Sequence, residues 1–126
     1  MTLADARPVA LIITRDRKVA EGFYGETLGL RRLPGDDFAA LFDLAGARLR
    51  LTEVPDHVAS LHPVLGWEVP DIRAAVEALA AKGVATNRYE GMGQDELGIW
   101  TSPDGSARVA FFDDPDGNGL TLTQGS

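Results

Sequence analysis

Residues 11–30, LIITRDRKVAEGFYGETLGL, and residues 66–84, GWEVPDIRAAVEALAAKGV, follow the same pattern. Each stretch has an apolar run, an aspartate (Asp16 or Asp71) and about three turns of amphipathic sequence that end at a glycine (Gly29 or Gly83). An aspartate in this place is typical of a helix N-cap, and the glycine is typical of a helix end. The pattern therefore predicts a strand followed by a helix, formed twice, and indicates an internal repeat.

Strand-like segments follow each predicted helix in the same order. In the first half we predict strands at 8–14, 30–33, 38–44 and 47–54, and in the second half at 64–69, 97–102, 107–113 and 120–123. The turn sequences PGDD (34–37), PDGS (103–106) and DPDG (114–117) separate them. The first helix is predicted to run to about residue 27 and to bury Val19, Ala20, Phe23 and Thr27 or Leu28. The second, through Lys82, is predicted to bury Ile72, Ala75, Val76 and Leu79.

These segments predict an α+β protein of two βαβββ modules, residues 7–54 and 62–124, within a single domain of residues 1–126. We expect the modules to pair and form a curved mixed β-sheet with the helices on the outside. The stretch at 55–63 is polar and bracketed by prolines, so we interpret it as a linker. Paired modules commonly place a ligand cavity where they meet.

The composition excludes several classes of function. The chain has 126 residues, a formal net charge of −7 and no cysteine, so disulfides and thiolate chemistry are excluded. The negative charge disfavours nucleic acid as a partner, because phosphate recognition needs a basic surface. No apolar stretch has the roughly 20 residues that span a membrane, and no secretory signal is visible. We therefore expect a cytoplasmic protein with neither nucleic acid nor membrane as a partner.

Two short motifs, FYGETLGL (23–30) and DPDGN (114–118), stand at fixed places around the repeat. With them, the doubled pattern resembles the vicinal oxygen chelate superfamily, which includes glyoxalase I, the bleomycin resistance proteins, the fosfomycin resistance enzymes and the extradiol dioxygenases. VLGWEV (64–69) and QDELGIWTSPDG (94–105) are similar to a bacterial subgroup of glyoxalase-like proteins. The resemblance covers nearly the whole chain and implies the glyoxalase/bleomycin resistance fold and a homodimer.

The metal enzymes of this superfamily bind their ion through a histidine on the first strand, a glutamate late in the first module, a histidine opening the second module and a glutamate on the last strand. The resemblance places these four positions at Val9, Arg50, Val64 and Thr121. None of these side chains is a usual ligand for a divalent metal ion, and an arginine would repel one. The resemblance therefore implies no metal and no other cofactor. The alternative source of ligands is the linker, with His57 and His62, if a shift of register brought His62 into the row.

Strand alternation assigns one face of each strand to the cavity. If the four positions point into it, the other face carries apolar residues, as a sheet under helices requires. The polar wall of the cavity then contains Arg48, Arg50, Glu68, Thr121 and Thr123. Arg50 is predicted to hold an anionic group, and Trp100 to offer its indole ring to a planar ligand. Two alternatives stay open: Arg50 forms a space-filling ion pair with Glu68, and Trp100 packs in the core.

The predicted function is the metal-independent binding of a small organic molecule, a drug or a metabolite, in the cavity between the modules. Tyr89, Met92 and residues 94–96 lie in a long loop that could close over such a ligand. One alternative is a metal-dependent lyase, isomerase or dioxygenase with ligands at other positions. Another is a metal-free enzyme in which Glu68 is the base and Arg50 stabilises an anionic intermediate.

Overall fold

A computed structural model describes residues 1–125. The chain divides into two compact units, of which the first is Met1–Val58 and the second begins at Ala59. Each unit contains one four-stranded mixed sheet. The units correspond to the two predicted modules, and their pairing into one curved sheet within a single domain stays a prediction.

The first unit begins with a short 3₁₀-helix at Leu3–Asp5 and strand β1 at Val9–Thr14. Helix α1 at Arg17–Gly22 continues directly into a π-helix at Phe23–Thr27. Three strands follow: β2 at Arg32–Leu33, β3 at Ala39–Leu44 and β4 at Ala47–Glu53. The sheet order is β1-β4-β3-β2, with β1 parallel to β4 and the other pairs antiparallel.

The second unit repeats this arrangement with β5 at Pro63–Glu68, helix α2 at Ile72–Ala81, β6 at Trp100–Thr101, β7 at Ala107–Asp113 and β8 at Gly119–Gly125. Its sheet order is β5-β8-β7-β6, and β5 is parallel to β8. The predicted α+β class and the βαβββ order of each module are therefore confirmed. None of the helices within residues 1–125 combines the length and the hydropathy that crossing a bilayer requires.

Aspartate caps both helices, as the repeat predicts. The Asp16 carboxylate accepts a hydrogen bond from the Val19 N–H at 3.3 Å, and the Asp71 carboxylate accepts one from the Ala74 N–H at 3.1 Å. These bonds satisfy first-turn donors that have no partner inside the helix.

A second pair of hydrogen bonds ties each helix start to the last long strand of its own unit. The Arg17 N–H donates to Glu53 Oε1 at 2.8 Å, and the Ile72 N–H donates to Gln124 Oε1 at 2.7 Å. Glu53 ends β4 and Gln124 lies near the end of β8, so the two bonds occupy equivalent places. The repeat thus includes tertiary hydrogen bonds that the sequence pattern alone does not reveal.

The buried side of the first helix differs from the prediction. Val19 is 53% exposed, whereas Ala20 and Tyr24 are fully buried, so the expected position of Val19 is wrong. Ala20 and Tyr24 are four residues apart, so the buried side has ordinary helical spacing but begins one residue after Val19. The π-helix, in which the Leu28 N–H bonds to Phe23 O at 2.8 Å, follows at Phe23. There Tyr24 packs edge-on against Phe23, with ring centroids 5.2 Å apart.

Strand β6 is shorter than predicted because a side chain organises the residues before it. Asp95 Oδ1 accepts from the N–H groups of Leu97 and Ile99, both at 2.9 Å. Gly98 between them has φ of +81°, and a Cβ there would overlap the Thr86 hydroxyl. This tight turn delays regular pairing to Trp100.

The predicted assignment of strand faces is confirmed. Ile12, Leu49, Leu51 and Leu120 are buried on the sheet faces that carry the helices, with α1 against β4 and α2 against β7 and β8. On the other side of the first sheet, Leu11 is 68% exposed. We call this side the first open face, made of residues 9, 11 and 13 of β1 with 48, 50 and 52 of β4. The corresponding second open face contains Gly66, Glu68, Trp100, Val109, Phe111, Thr121 and Thr123.

Candidate ligand site

Arg50 lies at the centre of the first open face with apolar neighbours on both sides. Leu11 of β1 and Leu41 of β3 are its direct cross-strand partners. Arg50 is half-buried, and no carboxylate within residues 1–125 forms an ion pair with it. A guanidinium group in this position offers a planar fork of N–H donors to an anionic group.

The Arg50 charge acts on one nearby carboxyl group. Backbone N–H groups of Phe38 and Ala39 hold the pKa of Asp36 below its usual value, and the positive charge of Arg50 adds to this effect. Asp36 is exposed and accepts those N–H bonds at 2.8 and 2.9 Å. The Asp36 carboxylate is therefore committed to its own turn.

Arg48 is less suited to hold an anion than Arg50. It is exposed and lies opposite Val9 and Asp43 in the sheet register. The Asp43 carboxylate pairs with Arg31 at 3.4 Å. A carboxylate beside Arg48 lowers the positive potential there, so Arg50 is the stronger candidate on the first open face.

The second open face brings three of the predicted site residues into one unit. Trp100 is opposite Val109, which is followed across the sheet by Thr123 and then Glu68. Thr121, two residues before Thr123 on β8, lies on the same face and pairs with Phe111. Trp100 therefore lies on the same face as Val109, away from the side that carries α2. With three strand spacings between them, Trp100 and Glu68 are roughly 14 Å apart.

Gly66 gives the Thr121 hydroxyl its place on the second open face. The two residues are direct partners in the parallel pair of β5 and β8. A Cβ atom on Gly66 would overlap Thr121 Oγ1, so only glycine leaves the observed hydroxyl position free. Phe111, the partner of Thr121 on β7, places an aromatic ring on the other side of the hydroxyl. The face therefore combines a hydrogen-bonding group with aromatic surface.

The donor set does not fit a metal ion. The four positions implied by the resemblance, Val9, Arg50, Val64 and Thr121, lie on the strands and supply two alkyl groups, a cation and one hydroxyl. Such groups do not form a first-row metal site. Within residues 1–125, no three His, Asp or Glu side chains are grouped so that they could hold a metal ion. His62 is exposed and precedes β5, and His57 belongs to the other unit.

The long loop before β6 contains both structural and cavity-lining residues. Gln94 donates to the carbonyls of Asn87 and Gly98 at 2.9 and 2.8 Å, and accepts from the Tyr89 N–H at 2.7 Å. Glu96 pairs with Arg73 at 2.7 Å, and this partner lowers the pKa of the Glu96 carboxyl. Residues 94 and 96 therefore fix the loop conformation.

Sequence reasoning missed a cavity of about 540 Å³ in the second unit. Its wall includes Leu61 of the supposed linker, Tyr89 of the loop, and Phe111 and Asp113 of β7. Strand alternation carried along β7 from Val109 would have placed Phe111 on the open face. The contributions of Leu61 and Tyr89 have no periodic signal, because both lie in irregular segments.

Comparison with known proteins gives a consistent family. The model of the Glyoxalase/Bleomycin resistance protein/Dioxygenase superfamily matches residues 8–122. A search of the curated proteins gives no significant match.

Many solved structures share the fold. A glyoxalase family protein from Bacillus anthracis has a TM-score of 0.75 at 14% sequence identity, over 97% of this chain and 96% of that one. The glyoxalase family protein from Enterococcus faecalis has a TM-score of 0.74 at 20% identity, over 98% and 99%. A member of the superfamily from Sphaerobacter thermophilus has a TM-score of 0.73 at 22% identity, again over 98% and 99%. Because the family model covers most of the sequence and these structures cover nearly all of the fold, the chain belongs to the glyoxalase/bleomycin resistance protein/dioxygenase superfamily.

Proposed function

We propose that this protein binds a small organic molecule, a drug or a metabolite, on its open sheet faces without a metal ion. One observation carries the proposal. The strand positions that supply metal ligands in the resembled enzymes hold Val9, Arg50, Val64 and Thr121, while the same faces keep exposed apolar and polar side chains. The side chains that remain are suited to recognise an organic ligand directly.

The second open face supplies an aromatic surface and hydrogen-bonding groups. The Trp100 indole offers a flat surface to a planar ring, and the Thr121 hydroxyl both donates and accepts hydrogen bonds. Glu68 is exposed on β5, where its carboxylate accepts hydrogen bonds. The ligand therefore has a planar apolar part and at least one polar group.

Arg50 on the first open face favours an anionic group. Arg50 is half-buried, its cross-strand partners are Leu11 and Leu41, and it has no ion pair among the residues described. A charge-assisted, bidentate contact with a carboxylate is the strongest contact that this side chain can form. Arg48 is assigned a weaker supporting role because of its carboxylate neighbour Asp43.

The proposal is tested by calorimetric titration of EDTA-treated protein with a panel of aromatic carboxylates and their neutral amides. We expect the carboxylates to bind and EDTA to leave the affinity unchanged. Trp100→Ala and Arg50→Leu should each weaken binding at least fivefold. Trp67→Phe is the matched control for the first variant, because Trp67 stacks on Phe112 on the helix-covered face.

Two results would contradict the proposal. If no compound of the panel gave heat above the buffer control, ligand binding of this class would be refuted. If binding disappeared with EDTA and returned with Zn²⁺, Ni²⁺, Mn²⁺ or Fe²⁺, the metal-dependent alternative would replace it.

We also propose a homodimer, on the basis of the apolar edge of the first sheet. Strand β1 is at the edge of that sheet, and its residues Val9 and Leu11 are 50% and 68% exposed. Exposed apolar side chains on an edge strand are typical of a surface covered in an assembly. Light scattering on the size-exclusion peak should give twice the chain mass, and Leu11→Glu should reduce it to one. A wild-type monomer at 100 μM would refute the dimer.

A further inference from the structure

The cavity of the second unit has two lobes at the end of the second open face. They measure about 540 and 420 Å³ and share Leu61, Pro63, Tyr89 and Phe111 in their walls. Trp100 and Thr121 are not among the residues that line either lobe. Phe111 lines both lobes and also belongs to the second open face, so the two-lobed cavity adjoins the ligand site proposed above without including Trp100 or Thr121.

Two aromatic rings form one wall of this cavity. Tyr89 and Phe111 meet edge to face, with centroids 5.4 Å apart and planes at 89°. Tyr89 is 50% exposed and Leu61 at the rim is 99% exposed. Large apolar side chains at the rim of a concave site are typical of a binding surface.

A glycine lines the larger lobe next to Asp113. Gly119 of β8 stands between Asp113 of β7 and Pro63 of β5 in the sheet register. A Cβ at this position would come within 3.2 Å of Pro63 Cα, so an alanine would require Pro63 to shift by a few tenths of an ångström. Gly119 therefore presents no side chain to Asp113 on the β8 side.

The loop that carries Tyr89 is fixed to the sheet. The Asn87 N–H donates to the Phe111 carbonyl at 2.7 Å, and Asn87 Nδ2 donates to Asp113 Oδ1 at 2.9 Å. Gln94 holds both Asn87 and Tyr89 through hydrogen bonds to their backbone groups. The aromatic wall and the carboxylate are thus held in position relative to each other before any ligand arrives.

The walls of the cavity contain two carboxylates, Asp113 and Glu90, and one guanidinium, Arg88, and so have a small excess of negative charge. Asp113 lines one lobe and Glu90 the other, and neither forms an ion pair with any residue in the described part of the chain. The lining residue Arg88 turns its guanidinium to the carbonyls of Asp95 and Glu96. Its charge also lies close enough to the Glu96 carboxylate to help lower the pKa of that group, after the larger effect of Arg73.

We propose that this cavity binds a planar aromatic organic cation, with its ring against Tyr89 and Phe111 and its positive charge facing Asp113. Aromatic faces attract cations through their quadrupole, and the attraction is strongest when the cation is a poorly hydrated organic one. The carboxylate adds a direct Coulomb attraction. The overall charge of −7 favours the approach of such a ligand.

The test uses a charged and an uncharged ligand of almost the same shape, N-methylquinolinium and quinoline at pH 7.5. Binding is followed through the ¹⁵N–¹H spectrum of the full chain. We expect the largest shifts at the amides of Asn87, Tyr89 and Asp113, and at least a fivefold lower Kd for the cation. Raising NaCl from 20 to 300 mM should weaken the binding of the cation and leave that of quinoline unchanged.

Asp113→Asn keeps the oxygen that accepts from Asn87 and removes only the charge. We expect this variant to bind both ligands equally. Asp43→Asn, which removes a carboxylate from the first sheet, is the control and should leave both Kd values unchanged.

Equal Kd values for the two ligands on the wild type would overturn the proposal, as would an Asp113→Asn variant that still prefers the cation. Shifts centred on Trp100 instead of Tyr89 would also overturn it, while leaving the proposed function intact. Conversely, the aromatic carboxylates of the first test could fail to bind without affecting this result. The cation test depends on Asp113 and Tyr89 instead of Trp100 and Arg50, and its ligand has the opposite charge.

Discussion

Replacing Gly66 with alanine tests the geometry on which the proposed ligand site rests. The added Cβ would overlap Thr121 Oγ1, whereas its next contacts are ordinary ones: the Thr121 carbonyl oxygen at 3.4 Å and Thr121 Cβ at 3.5 Å. Gly66 does not have a positive φ, so alanine suits its backbone. The conflict is therefore confined to one hydroxyl group.

The size of the effect follows from two opposing contributions. Forcing Thr121 out of its rotamer, or overpacking the contact, costs about 2 kcal/mol. Replacing glycine by alanine in a strand gains about 0.5–1 kcal/mol, because it reduces the conformational entropy of the unfolded chain. We therefore expect Gly66→Ala to lower the free energy of unfolding by about 1 kcal/mol in the wild type. In a Thr121→Ala background the overlap is absent, and Gly66→Ala should raise the free energy of unfolding by about 0.5–1 kcal/mol.

Urea denaturation of the wild type, the two single variants and the double variant measures this cycle. The effect of Gly66→Ala on the free energy of unfolding should change sign between the wild type and the Thr121→Ala background. The coupling free energy between the two positions should be about 1.5–2 kcal/mol. Similar m-values for the four proteins are required for the comparison. A coupling below about 0.5 kcal/mol would refute the reasoning, since it would mean that the Thr121 hydroxyl does not occupy the space above Gly66.

Three further predictions concern the scaffold. Gly98→Ala should lower the free energy of unfolding by at least about 1 kcal/mol more than Gly105→Ala. Both glycines have positive φ, but only a Cβ at Gly98 overlaps a neighbouring hydroxyl. Thermal unfolding of the two variants measures the difference, and equal losses of stability would contradict the prediction. The Ser106 N–H and then two serine hydroxyls lower the pKa of Asp104 to about 2. The stabilising effect of its carboxylate is therefore complete above the ordinary pKa of 3.8 and is lost as the pH falls towards 2. A midpoint near 3.8 in a carboxyl ¹³C titration would contradict this. Asp71→Ala removes the cap of α2 and should cost about 1 kcal/mol in urea unfolding, and an unchanged midpoint would contradict the cap assignment.

The sequence predicts those parts of the fold in which one residue type has one physical task. Asp16 and Asp71 were recognisable as caps because short acceptors at a helix start satisfy N–H groups. Strand faces were recognisable because Leu49 and Leu51 alternate with Arg48 and Arg50, and burial follows that alternation. These signals are local, so they survive without knowledge of the neighbouring segments.

Predictions from the sequence were wrong or incomplete where a feature depends on contacts with distant segments. The first helix buries Ala20 and Tyr24 and exposes Val19, because its packing against β4 decides which side is covered. Likewise, the aromatic cavity depends on Tyr89 of the loop before β6 meeting Phe111 of β7. Among the candidate site residues, Trp100, Glu68 and Thr121 share a face as expected, since their strands follow regular register.

Some features occur in both units and others in only one, and this difference indicates which residues bind the ligand. Both units keep a capping aspartate and a strand side chain that accepts from the next N–H, Glu53 in one and Gln124 in the other. Their open faces, in contrast, differ: Arg50 stands between leucines in the first, and Thr121 lies above a glycine in the second. A contact needed for folding is needed equally in both units, whereas a contact with an asymmetric ligand is needed once. The residues that break the repeat are therefore the ones expected to bind the ligand.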